Sequence, residues 1–448
     1  MIDTIYLECN LASLTSIREA GDDYLVIAKN PDFLGQGFRG IDLDGVALPL
    51  GGTFLEFPRL DAAKADADVR DYATTDLNGI IQFSAVVHDY LSSFCALRKL
   101  DGYTSRLNGE SFKDFVLGDS LEILSALDAG KIKDQLARLP LTDPRHPSNK
   151  QSFDPSTDAS YESYCREIYG DYLYGAVFQP LKQKVIGQHD IACLKYHRAN
   201  WLPLYWPDSI LKMLETGEDL KPYSFYRFAD FNFAQWTRKL CDGVDRDRII
   251  TGEAQHVGRE GSIFTITLND GQRLQCRRVV SALNVEQLNK LLNFTSRSYD
   301  RGNSIYLAYV RTNAVDTSNM PEAQFILDAS NAVYRISRYA SHLSIELSSA
   351  HLNSFCESDR TRRVASDFTA ATGATLEPQA IGYLREFANA RVKLSTNNYH
   401  YHQALLRTNE SLGIELTGSA AGFGVGSIAD QLIQGLRLAA QCPAALAV

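Results

Sequence analysis

Near its start the chain sets an apolar run, a short polar turn, an amphipathic stretch and a second apolar run in a row. Ile5–Leu7 predicts a first strand, Leu11–Ala20 a helix stopped by Gly21, and Tyr24–Ala28 a second strand. That order is the order of a nucleotide-binding βαβ unit, whose turn is normally rich in glycine. Here the turn reads Glu8-Cys9-Asn10-Leu11-Ala12-Ser13 and holds none.

The pattern continues with a glycine-punctuated loop, FLGQGFRG, and with IDLDGVALPLGGTFLEF, where Asp44-Gly45 predicts a hairpin. Helical periodicity dominates from Asn78 to Leu139. Leu139–Asp158, rich in Pro, Ser and Asp, predicts a long loop or lid. SYESYCREIYGDYLYGAVFQPLKQKVIG predicts a second helical region ending at Gly187, and Phe225–Leu240 a return to helix. Three or four short strands follow around the Asn269-Asp270-Gly271 turn, then further strands at SIYLAYVRT, AVYRISRYA and HLSIELSS. The last element is a strand, a glycine-rich turn and a long closing helix.

A chain of 448 residues calls for two domains, perhaps discontinuous. A hydrophobic content of 45% with 22% charged residues fits an ordinary globular protein. The net charge of -9 argues against nucleic acid or an anionic membrane as main partner. Eight scattered cysteines without a CxxC pair fit reduced thiols better than disulfides or a zinc site. No basic, apolar leader and no run of about 20 apolar residues is present. The expectation is a soluble, cytoplasmic protein with no membrane span.

Five segments together resemble the flavin-dependent amine oxidase superfamily, with protoporphyrinogen oxidase-type proteins and UDP-galactopyranose mutases as the nearest likenesses. They are the βαβ unit at Ile5–Ala20, the LGQG loop with LGGTFLEF, YGDYLYGAVFQPLKQKVIG, the segment from FYRFADFNFAQWTRKL to RRVVSAL, and ELTGSAAGFGVGSIADQLIQGLRLA. The resemblance spans nearly the whole chain. It implies an α/β fold: a discontinuous Rossmann-like FAD/NAD(P)-binding-type domain and an α+β substrate domain with a helical insertion. The first would take residues 1–60, 225–295 and 405–448, and the second 61–224 and 296–404.

By this resemblance Glu8, Asn10 and Ser13 stand where the three glycines of GxGxxG belong. Asn10 tolerates a left-handed backbone, which would preserve the turn. Glu8 opposes a phosphate: at about 5 Å and an effective dielectric near 20, the repulsion is roughly 3 kcal/mol. Lys29 replaces the acid that ends the second strand and bonds the adenosine ribose; it suits a phosphate or another anionic ligand instead. The same resemblance assigns Gly35, Gly51 and Gly52 to cofactor loops. It assigns Gly418, Ser419, Gly424, Gly426 and the helix at Ser427-Ile428 to the pyrophosphate and flavin.

Arg335, in VYRISRY, matches a mutase-like strand arginine that reaches substrate or cofactor phosphate, and Tyr401 would line an interior pocket; both are catalytic candidates. NNYHYHQALL stands where the resemblance implies a strand, on which His400 and His402 would face one way, yet no third ligand joins them and no metal site is assigned. Tyr205 and Trp206 line a pocket or staple two domains. Three functions remain open: a flavin-dependent oxidoreductase or mutase, a flavin-free accessory or binding subunit, and a flavin-independent enzyme. The expectation is a degenerate dinucleotide site with no tightly bound FAD, FAD being the alternative. The expected partner is a small-molecule substrate or a protein, such as a flavoenzyme.

Overall fold

The computed structural model describes residues 1–21, 23–58, 65–73, 82–100, 103–113, 121–136, 160–185, 207–219, 223–294, 299–393, 395–422 and 426–442. The predicted loop or lid at Leu139–Asp158, Tyr205, Trp206 and Gly424 lie outside them. The chain divides into two units: Met1–Arg98 with Tyr226–Asp300 and Thr396–Val448, and Lys99–Phe225 with Arg301–Ser395. Among the described residues no helix is long and apolar enough to cross a membrane.

In the first unit, strand β1 (Ile2–Leu7) leads into helix α1 (Leu11–Ala20) and strand β2 (Tyr24–Ala28). Gly21 ends α1 in the left-handed region, at φ 62°, as the pattern predicts. Later come α2 (Phe233–Asp242), β3 (Ile249–Thr251), β4 (Ala254–Glu260), β5 (Ile263–Leu268), β6 (Arg273–Ser281) and α3 (Val285–Leu291). The unit closes with α4 (Thr396–Glu410), β7 (Glu415–Leu416) and α5 (Ile428–Ala440).

These strands form one sheet in the order β3-β2-β1-β6-β5-β4, with β7 beside β6. β3, β2, β1, β6 and β7 run parallel, Leu7 pairing with Ile27 and Ser281, while β6, β5 and β4 are antiparallel. Alternation sorts the side chains into two layers. Tyr6, Val26, Ala28 and Val280 join α1, α2 and α5 in one core, and Ile5, Leu7, Ile27 and Val279 join α3 and α4 in the other. A sheet covered on both faces explains why its central strands are apolar at nearly every position.

The second unit holds another seven-stranded sheet, in the order Ile381–Arg391, Asn303–Arg311, His342–Ser348, Val333–Arg338, Ala323–Ile326, Tyr103–Leu107 and Glu110–Lys113. It is antiparallel except where Ala323–Ile326 runs alongside Tyr103–Leu107. The helix Glu357–Thr372 covers one face, burying Val364 and Phe368 with Leu343, Ile345 and Leu347. The helical region predicted before Gly187 is present as Tyr161–Leu173, a π turn at Tyr174–Phe178, and Gln179–Val185. It kinks at Gly170, whose φ of 80° and ψ of 164° are not helical.

Three local expectations are corrected. NNYHYHQALL is helical, not a strand: Asn398, Tyr401, His402, Leu405 and Asn409 are its buried positions, which is a helical spacing. The stretch 78–139 is not helical throughout, because Asn108-Gly109, with φ 54° and 82°, turns a hairpin between Tyr103–Leu107 and Glu110–Lys113. Phe225–Leu240 begins as strand Tyr223–Phe228, and α2 starts only after Asn232, which forms a reciprocal cap with Gln235. The boundaries between the two units fall near 98, 226, 300 and 396.

Candidate functional site

The βαβ turn closes by a route the sequence does not announce. Asn10 is extended, at φ -99° and ψ -171°, so the expectation of a left-handed Asn10 is wrong. The left-handed residue is Glu8, at φ 58°, the position of the first glycine. Such a backbone costs a residue with a Cβ roughly 1–2 kcal/mol. An anchor offsets that strain: Glu8 Oε1 accepts a hydrogen bond from the Lys29 main-chain N–H at 2.9 Å. The carboxylate therefore sits at the end of β2, not in front of α1. Burial raises its pKa above the usual carboxylate value, Glu253 pushes it further, and the Lys29 N–H and charge pull it back.

Asn10 fills the space its glycine counterpart would leave. Its Oδ1 accepts from the Ser13 N–H at 3.1 Å and from Ser13 Oγ at 3.3 Å. Its Nδ2 donates to Thr417 Oγ1 at 3.0 Å, joining the first turn to the closing segment. Asn10 and Ser13 are both buried. A helix N-terminus offers an anion its unpaired N–H groups, and here the Ser13 N–H is already bonded.

The closing segment repeats this arrangement. Gly418, at φ 64°, donates its N–H to Gln434 Oε1 at 2.8 Å, and a Cβ there would lie 2.9 Å from Asn10 Nδ2. Ser419 is half-buried beside it. At the start of α5, Ser427 Oγ accepts from the Asp430 N–H at 3.0 Å and donates to Asp430 Oδ2 at 2.8 Å. Asp430 is fully buried, and Tyr72 Oη donates to its Oδ1 at 2.5 Å. The positive end of α5 thus faces an acid of its own chain. Gly426 lends its carbonyl to Gln431 Nε2 at 3.3 Å, and Ile428 packs against the core. Two buried amide atoms, Gln434 Nε2 and Gln431 Oε1, have no partner among the described residues. One donor and one acceptor suit water or an uncharged polar group, and add no positive charge for a diphosphate.

The other predicted residues take separate places. Lys29 Nζ is largely exposed and lies 3.6 Å from Glu253 Oε2. Gly35, at φ 82°, packs where a Cβ would meet Thr237 Cγ2 at 2.8 Å, and its N–H bonds Cys9 O at 2.8 Å. Gly51 is buried at φ 87° and Gly52 half-buried.

Arg335 belongs to the second unit. Its Nε donates to Glu346 Oε1 at 2.5 Å, while Tyr334 Oη donates to Glu346 Oε2 at 2.5 Å. Arg335 and Glu346 are 8% and 1% exposed, a buried pair rather than an arginine held out toward a ligand. Tyr401 sits in α4, with the rings of Phe294 and Tyr299 each 5.2 Å away, inside the core instead of on a strand beside a pocket. His402 donates from Nε2 to Ala420 O at 3.0 Å, and burial lowers its pKa to about 4. Among the described residues no three His, Cys, Asp or Glu gather as a metal set.

Beside the capped turn, a cleft of about 90 Å³ opens at the carboxyl ends of β1, β2 and β3. Leu7, Ile27, Glu8, Glu253, Gln287 and Lys290 contribute to its lining. Ligand pockets for small molecules are usually about 300–1,000 Å³, so this space takes one small group and not a dinucleotide. Of the residues that matter here, sequence reasoning missed Thr417, Gln431, Gln434, Asp430 and Glu253. Polar residues on the apolar side of α5 were the one available signal: Asp430, Gln431 and Gln434 are all buried.

By sequence, the chain matches no family model and no curated protein. Solved structures match over nearly their whole length. A reduced UDP-galactopyranose mutase shares 12% identity at a TM-score of 0.67, covering 98% of this chain and 95% of that one. A protein described as a protoporphyrinogen oxidase from Exiguobacterium sp. 255-15 gives 13%, 0.60, and 97% of both chains. Cyclohexylamine oxidase from Brevibacterium oxydans IH-35A gives 14%, 0.57, and 98% of both. All are flavin amine oxidase-like proteins, and this chain has their fold.

Proposed function

We propose that this protein is a flavin-free form of the amine oxidase-like fold, acting as a binding or accessory subunit and not as an oxidase. One observation carries the reading: three main-chain donors at the pyrophosphate and flavin positions are bonded by the chain's own side chains. Asn10 takes the Ser13 N–H, Gln434 the Gly418 N–H, and Ser427 the Asp430 N–H. A nanomolar flavin site needs about 12 kcal/mol of binding. FAD would have to displace these caps and meet the buried acid Asp430 at the start of α5, so the residues present do not fit it.

A second reading, a FAD-dependent oxidoreductase or sugar-nucleotide mutase, is favoured by what the structural neighbours are named for. One experiment separates the two. Freshly purified protein is scanned for flavin absorbance, incubated with excess FAD, desalted and scanned again. A colourless protein after both steps supports the flavin-free reading. Near-stoichiometric flavin bands overturn it and call for oxidase and mutase assays.

A further inference from the structure

Ile381–Arg391 is an outermost strand of the second unit's sheet and pairs on one side only, with Asn303–Arg311. Its regular register runs from Tyr383 to Phe387, opposite Tyr309 to Ile305. A register shift bounds this run at each end, and just beyond it Asn389 takes a left-handed φ of 54°. Among the described residues no main-chain hydrogen bond reaches the free side of these five residues. They present a row of unsatisfied N–H and C=O groups about 17 Å long.

Alternation sorts their side chains onto two faces. Leu384 packs against the core under the helix Glu357–Thr372, and on the same face Glu386 is engaged by Tyr306 Oη at 3.3 Å and Asn353 Nδ2 at 3.4 Å. The other face carries Tyr383, Arg385 and Phe387. Tyr383 packs edge-on to Tyr309, and the Arg385 guanidinium lies 6.0 Å from the centre of the Phe387 ring. Arg385 is exposed and makes no ion pair among the described residues. The edge acid is thus held by its own chain, and the edge base between two rings is not.

These charges choose the occupant. A second copy added antiparallel pairs all five residues in one symmetric register only, and that register sets Arg385 directly opposite its own copy. Like charges so placed oppose pairing, a usual way of guarding an edge. A strand with an acid at that place is complementary to Arg385, and apolar residues two places to either side meet Tyr383 and Phe387. We propose that Tyr383–Phe387 accepts an extended acidic segment of another protein as an added strand. The proposal goes beyond the flavin-free reading and stands whether or not the first unit holds flavin.

The test uses the full-length protein and two blocked peptides of alternating threonine and valine, labelled for fluorescence anisotropy. One carries a central glutamate on its valine face and the other a central lysine. The expected result is saturable binding of the glutamate peptide, about fivefold tighter than that of the lysine peptide. Arg385→Glu should reverse this preference and Arg385→Gln abolish it. The side chain is exposed, so both variants should keep the wild-type unfolding midpoint. Methylating the peptide's main-chain nitrogens should remove binding, because the ladder loses those donors. Binding of neither peptide, equal binding of both, or binding that survives methylation overturns the proposal. So does a wild-type dimer whose formation excludes the peptide, which would make the edge an interface between copies of this chain.

Discussion

Asn10 Nδ2 donates to Thr417 Oγ1 at 3.0 Å, so a side chain from the first turn is bonded to a residue 407 positions later. The same side chain caps α1 through Ser13, and Thr417 Oγ1 donates in turn to Ser281 O at 3.1 Å. One amide thus joins the turn, the end of β6 and the closing segment. Asn10→Ala removes the cap, worth about 0.5–2 kcal/mol, and a buried hydrogen bond worth about 1 kcal/mol. The expected loss in denaturant unfolding is about 2 kcal/mol. A change under about 0.5 kcal/mol would show that the bond to Thr417 contributes nothing.

α1 and α5 approach closely at Gly435. A Cβ there would lie 2.5 Å from Thr15 Cβ and 2.6 Å from Ala12 O, a main-chain atom with little room to move. Gly435→Ala should destabilise by about 1–3 kcal/mol, the usual cost of overpacking. Gly37→Ala serves as the control, because nothing lies within 4 Å of a Cβ at Gly37. The midpoint of urea unfolding decides, and equal shifts in the two variants would refute the packing argument.

How much of this could be read from the sequence depends on the range of the contacts involved. α1 begins and ends where its apolar spacing, Asn10 and Gly21 put it, because caps and periodicity act within one turn. The segment NNYHYHQALL misled because its place was inferred from relatives, while its own buried spacing, Tyr401 to Leu405 to Asn409, was helical. Glu8 was recognised as an obstacle to phosphate. Its anchor on Lys29 is a contact between strands, however, and the chain order leaves its direction open. Gln434 could not be found in advance, since only the folded turn brings Gly418 to it.

Arg335 provides a test between catalysis and structure. Removing one member of a buried ion pair leaves the other charge without compensation, at a cost of about 3–5 kcal/mol. Arg335→Met should therefore lower stability by that amount, with Glu346 left at 1% exposure. The double variant Arg335→Met/Glu346→Gln should recover most of the loss. If the single variant unfolds at the wild-type midpoint, the pair is not structural and the ligand-contact role returns.

His402 is buried neutral. Its folded pKa of about 4 lies below the ordinary value near 6.5 because burial disfavours the charged ring. Between those values the unfolded chain binds a proton that the folded one does not, so stability falls on acidification from about pH 6.5 to 4. His402→Gln should flatten that part of the pH–stability curve. The check is urea unfolding at several pH values; unchanged slopes in the variant would exclude His402 as the source.

Lys184 acts with the same sign at higher pH. Its Nζ donates to Ile326 O at 2.6 Å and Val333 O at 3.1 Å, clasping the end of one strand to the start of the next. Burial lowers its pKa from 10.5 to about 7, with Asp328 and Asp367 opposing the shift. From about pH 7 to 10 the unfolded chain keeps the proton and the folded chain gives it up, so this lysine adds stability as pH rises, by at most about 1.4 kcal/mol per pH unit. Buried thiols such as Cys241 and Cys276, with pKa values raised to about 11 by burial, pull the other way above their ordinary values. The informative quantity is therefore the difference between wild type and Lys184→Met, in which the thiol contributions cancel. That difference should shift in favour of the wild type between pH 7 and 9. A difference independent of pH would mean that Lys184 stays charged in the fold, held by its carbonyls and the nearby acids.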